Sequence, residues 1–378
     1  MNGLPVARLF GFEVRIHPSW ILIGALVTVL VVSQLDANAP AVPIPLRWVA
    51  GAVIAVAFFL SVLAHELGHG IMARRRGIEV GPITVFFFGG SASFQLESDR
   101  PRDEAAVALA GPAVSIAIGA LLAAFAAIGG ASGIAALEAA SLVAIVLAAL
   151  NLILGAANLI PAYPLDGGRV VRAVVWARSG DERRGARAAA TSGRYVGWLL
   201  VGAGLAVILL GQTVDGLMLG LAGWLLGSAS RAIIRRLAVQ ELIEGVSVAD
   251  VVDRQVSGVP PQLTVDTFAE RLMEGGDGSA LPVVRDDEVL GVIGAAQLRR
   301  LGRRAWPNTR AEQVMVGPPS MSTLALGDSL WSALDRLRRT GLDGLPVMEG
   351  EGFVGLITRR LIATAIQDRA KLRGVSIR

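Results

Sequence analysis

No cysteine occurs in this 378-residue sequence, and histidine occurs only three times. The first absence excludes disulfides, thiolate metal ligands and cysteine nucleophiles, and it leaves the redox compartment open. The second confines any imidazole chemistry to His17, His65 and His69. Charge is also scarce: 17% of residues are charged, the net charge is +4, and Lys371 is the single lysine. The arginines fall at the ends of apolar runs and form no aromatic-studded patch. Membrane topology explains that distribution, and nucleic-acid binding does not.

Apolar residues make up 53% of the chain and the mean hydropathy is positive. This composition selects a polytopic α-helical membrane protein, with a soluble α/β portion after about Gly245 where polar and apolar residues mix. Apolar runs over residues 20–35, 46–64, 104–130, 139–160, 195–211 and 214–229 each approach the ~20 residues that cross a bilayer. Six spans are therefore expected, the last two being short. The first resembles a signal peptide with its Ala37-Asn38-Ala39, but Pro40 follows directly, so a retained span is the reading. Arginines crowd Arg74 to Arg102, Arg169 to Arg194 and Arg231 to Arg236, and the intervening connections lack them. The positive-inside rule then puts both termini in the cytoplasm, in the expected setting of a bacterial plasma membrane.

Ala64-His65-Glu66-Leu67-Gly68-His69-Gly70 closes the second run. On a helix, His65 and His69 share a face and can grip one zinc ion, with Glu66 beside it as candidate general base. Two surface histidines on a soluble helix would mean nothing. Here the residues before them, Ala55 to Leu63, read as membrane-buried helix, where ionisable side chains are costly and seldom incidental. A third ligand has to be His17, a carboxylate or the substrate; for His17, at a helix start near the interface, a non-metal role is the commoner case.

Asn158-Leu159-Ile160-Pro161-Ala162-Tyr163-Pro164-Leu165-Asp166-Gly167-Gly168-Arg169 is the second chemical element. Its prolines stop the fourth span as a regular helix. Asp166 then sits on irregular backbone near membrane depth, where it either meets a cation or caps the next helix, and spacing leaves both readings open. Between spans two and three, Gly81 to Gln95 places β-branched and aromatic residues around Gly89-Gly90, which predicts a hairpin turning at the glycines. Strand structure beside a membrane needs protein or a wet cavity to cover it, so the hairpin is expected to line a cleft, where an edge strand can receive an extended substrate.

Together, His65-Glu66-Leu67-Gly68-His69, the Gly-Gly hairpin, Ala110-Gly111-Pro112 and the Pro164-Leu165-Asp166-Gly167-Gly168 run resemble the site-2 protease family of intramembrane zinc metalloproteases, over residues 8 to 230. The resemblance implies one zinc held by His65, His69 and Asp166, Glu66 as catalytic base, and Asn158, Pro164, Gly89 and Gly90 around the scissile segment of a transmembrane protein substrate. Ser115 stands where family members often carry asparagine after the Gly-Pro pair.

The soluble portion repeats itself. Leu281-Pro282-Val283-Val284 and Gly291-Val292-Ile293 return as Leu345-Pro346-Val347-Met348 and Gly355-Leu356-Ile357, each 64 residues on. Each unit reads as strand, helix, strand, strand, helix. This half resembles a tandem pair of cystathionine β-synthase (CBS) domains, which often bind adenine nucleotides and associate as homodimers. The family's Thr-plus-Asp pattern is incomplete here: Gly294 and Gln297 stand in one repeat, Thr358 and Leu361 in the other. That argues for a structural or dimerising role.

The domains expected are a membrane metalloprotease over 1–245, one CBS repeat over 246–306, and a second with a tail over 307–378. Two other classes remain on the sequence: a CBS-regulated transporter or channel using His65, Glu66, His69 and Asp166 as an ion path, and a scaffold with structural zinc.

Overall fold

The computed structural model describes residues 3–38, 42–86, 89–92, 100–274, 280–286, 288–318, 321–350 and 352–374. The chain divides into two compact units, Met1–Ile234 and Arg235–Arg378.

The first unit opens with two strands, β1 (Leu4–Leu9) and β2 (Phe12–Ile16), and continues with α1 (Trp20–Asn38), α2 (Ile44–Arg75), β3 (Ile83–Phe86), β4 (Gly89–Ala92), α3 (Pro101–Gly130), α4 (Ala135–Asn158), α5 (Asp166–Ser179), α6 (Glu182–Leu209) and α7 (Thr213–Leu242), whose last residues, from Arg235, count with the second unit. Among the described residues, six helices are long and apolar enough to span a bilayer: α1 to α4, α6 and α7. Side chains such as Ile21, Leu121, Ile128, Leu199 and Leu209 are exposed on them, a distribution costly in water and natural against lipid. The helices extend beyond the apolar runs at their polar ends. α2 continues through His65, His69 and Arg75, and α6 starts in a charged segment where the Asp181 carboxylate accepts the Arg183 and Arg184 N–H groups.

The strands form one sheet in the order β1-β2-β3-β4, with β2 and β3 parallel and the other pairs antiparallel. The hairpin expected at Gly89-Gly90 is present as β3 and β4, but Phe86 pairs with Gly89. The glycines therefore lie inside edge strand β4 and do not form the turn; residues 87, 88 and 93–95 fall outside the described residues. β1 and β2 were not foreseen. Their signals are the alternation Phe12-Glu13-Val14-Arg15-Ile16 and the turn at Phe10-Gly11, both with positive φ. Phe12, Val14, Ile83 and Val85 pack on Val62, Leu63 and Leu67 of α2, so the sheet covers the stretch of helix that carries the histidines.

The second unit contains α8 (Val265–Glu274), β5 (Ala280–Arg285), β6 (Glu288–Gly294), α9 (Ala295–Arg300), α10 (Ala311–Val314), β7 (Leu324–Ala325), α11 (Leu330–Thr340), β8 (Gly344–Glu349), β9 (Gly352–Thr358) and α12 (Arg359–Leu372). The second repeat follows the expected order. The first has a bridge where the leading strand was expected, Val259 pairing in parallel with Val283. Each repeat has its own apolar core, one around Phe268, Val283 and Ile293 and the other around Leu330, Leu345 and Ile357. Ile243 belongs to the latter, which is why the compact units part earlier than the change in composition near Gly245. Thr358 accepts the Leu361 N–H and Gln297 accepts the Gly294 N–H, so both side chains serve helix starts.

α3 and α4 approach through glycine: a Cβ on Gly119 would lie 2.8 Å from Leu152 Cγ and 3.1 Å from the Ala148 oxygen, whereas one on Gly130 would meet nothing within 4 Å. Gly119→Ala should cost about 1–3 kcal/mol by overpacking, and Gly130→Ala should be neutral or stabilise by up to about 1 kcal/mol. Thermal unfolding in detergent reads the opposite signs.

Candidate metal centre

Helix geometry sets the first two side chains of the site. His65 and His69 project from one face of α2, 4% and 3% exposed, with their Nε2 atoms 3.2 Å apart. Asp166, the first residue of α5, brings its Oδ2 to 3.2 Å from both nitrogens and is 12% exposed. Among the described residues these three form the group with metal-ligand spacing. The cap of α5 is Leu165, without a side-chain hydrogen bond. The Asp166 carboxylate is thus turned to the imidazoles and does not cap the helix.

The outer nitrogens fix the inner ones. His69 Nδ1 donates to the Val107 carbonyl at 2.7 Å. A carbonyl only accepts, so the proton sits on Nδ1 and a lone pair remains on Nε2. His65 Nδ1 lies 2.9 Å from the Ser115 hydroxyl, which can accept the same proton. Two imidazole lone pairs and a carboxylate oxygen then converge on one point, an arrangement that calls for a cation. Burial alone works against the Asp166 carboxylate, so it needs positive charge beside it. A divalent cation among the three supplies that charge. Nitrogen and oxygen donors of this number suit zinc with an open position.

Close approach of backbone makes the cluster. A Cβ on Gly111 of α3 would sit 2.2 Å from His69 Nε2 and 2.7 Å from His65 Nε2, and one on Gly68 of α2 would meet Val114 Cγ2 at 2.9 Å. One glycine from each helix lets α2 and α3 touch at the ligands. Glu66 is buried next to His65.

The irregular connection before α5 is pinned from two sides. The Tyr163 N–H donates to the Ala189 carbonyl of α6 at 3.4 Å, and the Tyr163 carbonyl accepts the Ser230 hydroxyl of α7 at 2.6 Å. Non-helical backbone at this depth requires such partners. Gly193 leaves the gap for the second bond, because its Cβ would fall 2.3 Å from Ser230 Oγ. Gly167 and Gly168 have the same use: their Cβ atoms would strike the Ile160 oxygen at 2.3 Å and the Tyr163 nitrogen at 2.4 Å.

Other residues singled out by the sequence are not among the three that make the cluster. His17 donates its N–H to the Val85 carbonyl, and its Nδ1 accepts the Ser19 N–H, so it joins β3 to the start of α1. Asn158 ends α4 with its amide donating to the Leu154 carbonyl, and Pro164 is exposed. Gly89 and Gly90 lie in β4, which packs beside α2. Sequence reasoning missed the Val107 carbonyl, Gly111 and Ser230 as parts of the site. Only Gly111 had a visible signal, a Gly-Pro pair inside an otherwise apolar span.

A model described as "Peptidase family M50" matches residues 53–201, and a "CBS domain" model matches 248–303 and 311–368. A protein named "Putative zinc metalloprotease Rip3" from Mycobacterium tuberculosis is 35% identical over 367 residues, covering 97% of this chain and 93% of that one. The chain belongs to peptidase family M50. A protein named "Putative zinc metalloprotease sll0528" from Synechocystis is 33% identical over 98% of this chain and 97% of its own. The solved site-2 protease of Methanocaldococcus jannaschii is 25% identical, covers 60% of this chain and 95% of that chain, and superposes with a TM-score of 0.41. The M50 protein is an integral-membrane zinc metalloprotease carrying a tandem CBS pair.

Gly111→Ala should weaken zinc binding at least about tenfold while leaving the protein folded, since the methyl group would occupy the point where the donors meet. Zinc content after titration with a chelator, compared with wild type, measures it.

Proposed function

We propose that this M50 peptidase cleaves a peptide bond within a transmembrane segment of another protein, with His65, His69 and Asp166 holding one zinc ion and Glu66 acting as general base. The observation that carries the reading is the convergence of Nε2, Nε2 and Oδ2 at 3.2 Å on a bilayer-spanning helix. Zinc supplies Lewis acidity, polarising a carbonyl and lowering the pKa of water to about 7. Glu66 takes the proton of the attacking water and returns it to the leaving amine. Val107 and Ser115 keep the two imidazoles in the tautomer and orientation that this needs.

A helical substrate shields its peptide bonds, so it has to unwind before attack. Edge strand β4, with Gly89 and Gly90, offers main-chain hydrogen bonds to the extended segment. Asn158 and Pro164 flank the same region. The arginine-rich connections set both termini on the cytoplasmic side of a bacterial plasma membrane. The membrane protease is assigned to 1–245. Repeats 246–306 and 307–378 act as its cytoplasmic regulatory or dimerising module. Thr358 and Gln297 are committed to helix starts, which favours dimerisation over adenine-nucleotide sensing.

Co-expression with single-span membrane proteins tests the reading. Glu66→Gln should lower formation of the cleaved product by about 10²–10⁴-fold while the purified variant retains zinc, and His17→Ala should retain both zinc and cleavage. Equal processing by Glu66→Gln and wild type would refute the mechanism.

A further inference from the structure

Asp166 differs from the histidines in how it reaches the site. His65 and His69 are placed by one regular helix, but Asp166 opens a 14-residue helix that follows irregular backbone. Something has to fix α5 against α3, the helix that passes through the site at Gly111 and orients both imidazoles through Val107 and Ser115.

Among the contacts between them is one buried ion pair, with the Arg169 charge of α5 also acting on its carboxylate. Glu104, on α3 one turn before Val107, is 2% exposed, and its Oε1 lies 3.2 Å from Nη1 of Arg172 on α5. Neither Glu104 oxygen accepts a hydrogen bond among the described residues, and the Arg172 Nε–H donates none. The pair is therefore a charge contact with Glu104 almost fully buried, and a buried carboxylate left without its partner is strongly disfavoured. Arg172 also forms an ion pair with Glu182 at the start of α6. That second arm is half-exposed and screened, so the Glu104 side dominates. The pair lies about 9 Å along the axis of α5 from the proposed ligand, too far to touch the metal.

We propose that Glu104 and Arg172 are positioning residues for the metal centre: their buried ion pair locks α5 to α3 and so sets where Asp166 meets His65 and His69. The inference rests on the assignment of Asp166 as a ligand, and the test separates the two.

Zinc affinity of the full-length protein in detergent is measured by chelator competition, alongside thermal unfolding, for Glu104→Gln, Arg172→Gln, the double variant, Glu104→Asp and Asp166→Ala. Each neutralising single variant should bind zinc about 10- to 100-fold more weakly. The double variant should lose no more than the worse single one, because the two groups act as a unit. Glu104→Asp, which keeps the charge, should bind more tightly than Glu104→Gln. If Glu104→Gln binds zinc as wild type does, whatever its unfolding temperature, the pair is only structural and the inference falls. Single losses that multiply in the double variant would also overturn it. Should Glu104→Gln not accumulate folded, Arg172→Lys carries the same test, with weaker zinc binding expected and wild-type affinity overturning the inference. Zinc retained at wild-type affinity by Asp166→Ala would refute the ligand assignment itself. Zinc lost by Asp166→Ala but kept by Glu104→Gln would refute only the positioning role.

Discussion

Two imidazole nitrogens and a carboxylate oxygen held 3.2 Å apart inside a helical membrane unit are the constraint on which the rest of this structure depends. Water cannot separate such groups where lipid and packed helices exclude it, and their lone pairs cannot satisfy one another. A positive charge at the centre, whether a metal ion or a proton on an imidazole, satisfies these groups, so stability and zinc chemistry have the same origin. The outer hydrogen bonds belong to that constraint: the one to Val107 keeps the proton of His69 on its outer nitrogen, and the Ser115 hydroxyl can accept the corresponding proton of His65.

Backbone proximity is the second requirement, and glycine meets it at each level of the site. Gly68 and Gly111 bring α2 and α3 together, Gly167 and Gly168 fold the connection onto α5, and Gly193 admits the Ser230 hydroxyl to the Tyr163 carbonyl. Hydrophobic burial gives little drive to association among helices already in lipid, so close van der Waals contact and satisfied polar groups supply the specificity. The sheet adds rigidity from the other side: Phe12 and Ile83 press on the turns of α2 around the histidines, on a face next to theirs, where Gly70 has no side chain to hold them off.

The sequence revealed these features unevenly, for physical reasons. Six spans were legible because hydropathy over about twenty residues is a property of the segment alone. The repeat of the second unit was legible because both copies keep Pro282/Pro346 and Gly291/Gly355 at one spacing. His65, Glu66 and His69 were legible because helical periodicity converts a spacing of four into a shared face. The N-terminal strands were overlooked because β2 gains meaning only from its parallel partner β3, some 70 residues away. Gly89-Gly90 was read as a turn because two glycines between β-formers usually are one. The register with Phe86 and Ser91 comes from the pairing of β3 with β4, which local sequence does not encode. Ser115 was visible as a departure from the family pattern, but its contact with His65 crosses 50 residues.

That contrast between local and tertiary information also runs through the metal centre itself. Regular helix fixes the separation of His65 and His69, and no other part of the chain is needed for it. Asp166 has no such guarantee: its helix begins after two prolines, and every restraint on it comes from another element, through Ala189, Ser230, Glu104 or the glycine contacts. A site built in this way concentrates its sensitivity in one ligand. Changes in α2 should act through the helix as a whole. Small shifts among α3, α5, α6 and α7 act on the carboxylate alone, and therefore on how tightly the cation is held. If a regulatory module acts on this enzyme, the carboxylate side is where packing leaves it the most leverage.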